Sequence, residues 1–210
     1  MNHQISIKTL LLFLVGQRQA ILSVGQSHCS LIVGLLFVFS AGLAREYDGE
    51  DLLHEPWHAL LPLLASLLSA AVLFVLLKIA MWRPMRGQQS TLSSREVFRS
   101  YLSCYWMMAP MAWLYAIPYQ DFFSPELAVE VNLTTLACVS VWRVALIIRV
   151  ISVLFGLPWL AVTPLVLLFG SALALLSFLV IPVPLFSFMG GVRHVGAEAV
   201  ISEVAFFIQL

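Results

Sequence analysis

The sequence predicts an all-α integral membrane protein: a bundle of about five transmembrane helices, within a range of four to six, preceded by a short N-terminal interfacial helix. Three observations carry that prediction. Of the 210 residues, 61% are hydrophobic and only 10% charged, with a mean hydropathy of +0.96. A soluble domain carries about 25% charged residues, and its surface-to-volume ratio forces polar groups outward. The apolar residues also fall into runs suited to crossing about 30 Å of hydrocarbon, separated by polar segments. Finally, the basic residues gather in alternate segments, as the positive-inside rule requires.

The chain divides into an N-terminal segment (1–24), a single membrane domain (25–182) and a C-terminal tail (183–210). In the first of these, ISIKTLLLFLV (5–15) is too short to cross, and polar Gly16-Gln17-Arg18-Gln19 follows it. An interfacial helix is expected, with Lys8 and Arg18 at headgroup level. A signal peptide cleaved after Ala44 is the competing reading, but the better apolar runs come later.

The first crossing is read at 25–44 and ends before Arg45. The second runs from Trp57 to Trp82, with Pro56 in its first turn, where a missing N–H costs nothing. Ala65, Ser66, Ser69 and Ala70 form a small-residue strip suited to close helix contact, and Lys78 can extend its ammonium to the interface. Ser93-x-x-Glu96 matches a capping box that opens the helix leading into the third crossing, 101–118, which Pro110 should kink. The fourth crossing is read at 131–155, with Asn132 as a candidate cap in an Asn-Leu-Thr sequon. Gly156-Leu157-Pro158 signals a turn, and the fifth crossing follows at 158–181. The tail is read as reentrant or interfacial, or as a weak sixth span interrupted by Arg193, His194, Glu198 and Glu203. No internal repeat of the transporter kind is visible. Trp57, Trp82 and Trp159 sit where interfacial anchors belong.

Charge orients this layout. Lys8 and Arg18 flank the start, and Lys78, Arg83, Arg86, Arg95 and Arg99 surround the segment between the second and third crossings. The loops 45–56 and 119–130 are acidic. The expected location is therefore a membrane, with the N-terminus inside (cytoplasmic) and both acidic loops outside.

Two groups of residues could carry chemistry. His54-Glu55-Pro56-Trp57-His58 spells the zinc-protease signature H-E-x-x-H. That motif needs an unbroken helix so that both imidazoles face one ion. Pro56 instead starts a helix, excludes Glu55 from helical backbone and separates His54 from His58. No later crossing contains an aspartate to serve as third ligand. A metalloenzyme at His54, Glu55 and His58 is the least favoured function, and no metal or other cofactor is assigned. The same stretch still gathers Glu46, Asp48, Glu50, Asp51, His54, Glu55 and His58 within 13 residues. It reads first as a solvated surface loop, and alternatively as a cation or proton site at the outer mouth.

The second group is Arg143 and Arg149 in the fourth crossing. Six residues of helix leave them about 240° apart, on different faces. Arg149 can reach the basic side, whereas Arg143 lies midway and needs a protein partner, expected to be backbone freed by Pro110 or Pro164. A packing lock between helices is the first reading of Arg143, and an anion or headgroup contact the second. Cys29, Cys104 and Cys138 read as packing residues. There is no phosphate loop or nucleophile elbow, and a formal net charge of zero gives no reason to expect nucleic acid.

The layout is loosely similar to that of Yip1-type membrane proteins, a likeness of topology alone. The function expected from these observations is that of a non-enzymatic scaffold or partner-binding membrane protein. Its partners would be the bilayer and another membrane protein or a second copy of the chain. The alternative is a small transporter or channel subunit using Arg143 and the outer acidic loop.

Overall fold

The computed structural model describes residues 6–43, 60–80, 93–117 and 119–180. The described residues form seven α-helices: α1 (Ile7–Leu14), α2 (Arg18–Gln26), α3 (Cys29–Leu43), α4 (Leu61–Ala80), α5 (Ser94–Trp106), α6 (Pro125–Phe155) and α7 (Trp159–Val180). Between α5 and α6 the chain forms 3₁₀ helices at Ala109–Ala116 and Tyr119–Asp121. The all-helical expectation holds for these residues.

Among the described residues, three stretches are long and apolar enough to cross a membrane: Leu63–Ala80, Glu130–Phe155 and Trp159–Leu176. Helices α2 and α3 meet at 98° and make a fourth if taken as one broken span. Alone, the 15 residues of α3 reach only about 22 Å.

The third apolar run departs most from a simple helix. Pro110 has no N–H to return to the Trp106 carbonyl, and its ring crowds the preceding turn. The α-helix therefore stops at Trp106, capped by the Met107 N–H on the Ser103 carbonyl (3.0 Å). The chain then tightens to 3₁₀ geometry, with Met111 N–H on the Met108 carbonyl at 3.3 Å. Pro110 ends this helix rather than merely kinking it. Pro164, by contrast, is accommodated inside α7, where Thr163 Oγ1 donates to the Trp159 carbonyl one turn back (2.8 Å).

Helix ends follow their local chemistry. Ser93 and Glu96 form the expected capping box: Glu96 N–H donates to Ser93 Oγ (3.3 Å) and Ser93 N–H to Glu96 Oε2 (2.8 Å). Hydrogen bonds from Ser93, the backbone one first, hold the Glu96 carboxyl below the ordinary glutamate range. Helix α6 begins at Pro125, so Asn132 lies inside the helix instead of capping it. It ends at Gly156, whose φ of 63° is the left-handed conformation that glycine adopts without strain.

Two clusters form the core. One joins α4, α5, α6 and α7 around Leu73, Phe74, Leu77, Tyr101, Ile151, Phe155 and Val162. Phe74 stacks on Tyr101 with ring centroids 5.8 Å apart and meets Phe98 edge-on at 5.1 Å. The other cluster packs α1 and α2 onto the α5–α6 seam through Phe13, Ile21, Val24, Met107, Leu146 and Val150. Helix α3 lies so close to α5 that a Cβ on Gly34 would stand 2.8 Å from Trp106 Cβ. The outward faces remain apolar, with Leu64, Leu68, Val72, Val75 and Ile79 exposed along α4, and Trp159, Leu160, Leu168 and Leu176 along α7. Continuous apolar faces of this length suit lipid rather than water.

Candidate functional site

The acidic stretch Glu46 to His58, with its H-E-x-x-H spelling, lies outside the described residues, as does the tail 183–210. Among the described residues no three His, Cys, Asp or Glu side chains gather as a metal site would require. The candidate residues that can be placed are Arg143 and Arg149 of α6.

Their faces differ. Arg143 is half-buried in α6. No carboxylate pairs with Arg143 among the described residues, and its guanidinium makes no hydrogen bond to the carbonyls near Pro110 or Pro164. The bond to backbone freed at those prolines that the sequence led us to expect is therefore not made.

Arg149 turns toward the N-terminal hairpin, where the local sequence builds a specific acceptor. The apolar run of α1 ends at Val15, and Gly16 takes a φ of +79°. Gly16 N–H then reaches the Phe13 carbonyl (2.8 Å) and Gln17 N–H the Leu12 carbonyl (3.0 Å). This pair of bonds is a Schellman motif, and it reverses the chain into α2. The carbonyls of Leu14 and Gly16 are left pointing at α6. Trp142 Nε1 donates to the first at 2.9 Å, and Arg149 Nε to the second at 3.2 Å. Residues 142 and 149 are seven apart, which brings them back to within about 20° of each other on the helix. Phe13, with no exposed surface, fills the space beside them against Leu146 and Val150.

Sequence reasoning recognised Arg149 but not its acceptor, nor Trp142 as a second donor to the same turn. The available signal was Gly16 directly after an apolar helix, a strong C-terminal cap. Which distant side chain meets that cap is not a local property.

Elsewhere the polar groups of the bundle tie helices together. Ser66 Oγ donates to the Leu63 carbonyl (2.9 Å) and accepts from Trp106 Nε1 (3.2 Å), linking α4 to α5. Ser40 Oγ on α3 accepts from Trp113 Nε1 (3.1 Å), and the Tyr119 and Thr135 hydroxyls meet at 3.0 Å. Lys78 Nζ donates to Ser94 Oγ (2.7 Å), joining the end of α4 to the start of α5, and lies 5.3 Å from the Phe74 ring centroid. Cys104 is buried as a packing residue, whereas Cys29 and Cys138 are exposed. No protein-family model matches this chain, and neither a curated protein nor a solved structure does; what suggests a membrane protein is that, among the described residues, three helices, or four with α2 and α3 taken as one span, are long and apolar enough to cross.

Proposed function

We propose that this is a five-crossing, non-enzymatic membrane protein that acts by binding a membrane partner, its N-terminus inside and its acidic segments outside. Of these crossings, the one read at 101–118 is supplied by the end of α5 together with the 3₁₀ helix after it. The single observation that carries the partner-binding reading is that polar side chains of the bundle are used to tie its elements together. Ser40, Ser66, Trp106, Trp113, Trp142 and Arg149 are engaged in bonds between elements, as in a packed scaffold. The exposed apolar faces of α4 and α7 supply the area that lipid or a partner helix would cover.

Flux into proteoliposomes tests this reading. A scaffold leaves anion and cation flux at the level of empty vesicles. Flux that depends on the protein and falls in Arg143→Gln would replace this function with the second reading, a small transporter or channel subunit. The half-buried Arg143, with no carboxylate partner among the described residues, is the observation that favours that alternative.

A further inference from the structure

We propose that the turn joining α1 to α2 binds the phosphate of an anionic lipid headgroup between Arg149 and Arg18, an inference that rests on the membrane-protein reading above. Arg149 is positioned before any ligand arrives. Its Nε is held on the Gly16 carbonyl at 3.2 Å, and its aliphatic stem crosses the turn so closely that a Cβ on Gly16 would stand 3.3 Å from Arg149 Cγ. Trp142 fixes the same turn from one side by its 2.9 Å bond to the Leu14 carbonyl. With Nε on the Gly16 carbonyl, the two Nη groups of Arg149 remain available as donors. They have no hydrogen-bond partner among the described residues, and the side chain is exposed. Arg18 begins α2 two residues beyond Gly16 and is exposed as well.

Nothing acidic on the neighbouring elements neutralises this pair. The sequence contains no Asp or Glu from residue 1 to 45, nor from 131 to 197. That covers α1, α2, α3, α7 and the stretch of α6 that carries Arg149. The carboxylate on α5, the helix packed against α2, is Glu96, and it is committed to its own capping box with Ser93. Two guanidinium groups beside one fixed turn call for an anion, and guanidinium donors match phosphate oxygens in pairs. A soluble anion would need only the charge. The structure adds Ile7, Leu11 and Val15, a stripe along α1 that is 79%, 58% and 78% exposed and ends next to Gly16. A cationic turn at the end of an apolar stripe fits a ligand with a phosphate head and hydrocarbon tails.

The test uses the full chain, reconstituted in vesicles of phosphatidylcholine with phosphatidylglycerol. Lipid that stays with the purified protein is measured by mass spectrometry, and inorganic phosphate is added as competitor. Phosphatidylglycerol should be retained in preference to phosphatidylcholine. Arg18→Gln should lower that preference about five-fold, and Arg18→Gln with Arg149→Gln about thirty-fold. Arg149→Lys, which keeps the charge but loses the fork, should fall between wild type and Arg149→Gln. Arg18 makes no contact needed by the turn, so its variant reports even if Arg149→Gln fails to fold. The control is Arg95→Gln on α5, which should leave the preference unchanged. An equal loss in that control, or no preference in the wild type, overturns the proposal while leaving the membrane reading intact. Displacement by inorganic phosphate at the concentration that displaces lipid overturns the lipid assignment. A chain that never enters the vesicles defeats both readings together.

Discussion

Gly34→Ala should destabilise the bundle by about 2–3 kcal/mol, because it forces apart two helices that touch through backbone. The added Cβ would stand 2.8 Å from Trp106 Cβ and 3.4 Å from the Met107 nitrogen. Carbon atoms rest at about 3.5–4.0 Å, so α3 and α5 must separate by about 1 Å. Overpacking of this kind costs about 1–3 kcal/mol. The separation also stretches the 3.1 Å bond from Trp113 Nε1 to Ser40, six residues further along α3. An interhelical hydrogen bond in a membrane protein contributes about 0.6 kcal/mol on average. The assay is unfolding in mixed micelles of mild and denaturing detergent, followed by far-UV circular dichroism. Because the clash is with Cβ and not with the indole ring, adding Trp106→Ala should give no rescue. Stability of Gly34→Ala within about 0.5 kcal/mol of wild type, the range of ordinary surface substitutions, would refute the close approach of α3 and α5. So would recovery in the double variant.

Trp142→Phe keeps the ring but removes the donor to Leu14; it should cost about 0.5–1.5 kcal/mol in the same assay, with faster amide exchange confined to α1. Gly16→Ala places a side chain at a φ of +79° and should cost about 1–2 kcal/mol. The Glu96 carboxyl is held below its ordinary range by Ser93. Its stabilisation is therefore fully present above the unfolded pKa and lost as pH falls through the folded one. Comparing midpoints of wild type and Glu96→Gln down an acid series should show the wild type losing its advantage as pH drops below the normal glutamate range. A lipid-permeant thiol reagent should label Cys29 and Cys138 in the folded protein and Cys104 only after unfolding.

Composition and local punctuation made much of this legible in advance. Apolar runs located α1, α4, α6 and α7, because a helix that meets lipid must be largely apolar. The capping box at Ser93 and the turn at Gly156 were readable because capping is decided by a few neighbouring residues. The limits were also local in origin. Reading Pro110 as a kink underestimated it, since the chain loses a hydrogen bond at Trp106 and does not return to α geometry. Asn132 resembled a cap, but Pro125 at the first helical position starts α6 earlier. The bend between α2 and α3 at Ser27 and His28 carries neither proline nor glycine to announce it.

By itself, the sequence determined the class of protein, the order of its apolar helices and the angular separation of Arg143 from Arg149. All three follow from hydropathy and from the 100° advance per residue of a helix. Tertiary structure decided what each arginine meets. Arg149 and Gly16 are 133 residues apart in the chain, and so are linked only through the packing of α1 and α2 on the α5–α6 seam. That Arg143 makes no bond to the carbonyls near Pro110 or Pro164 has the same cause: a helix sets the direction of a side chain, but its partner depends on which helices pack together.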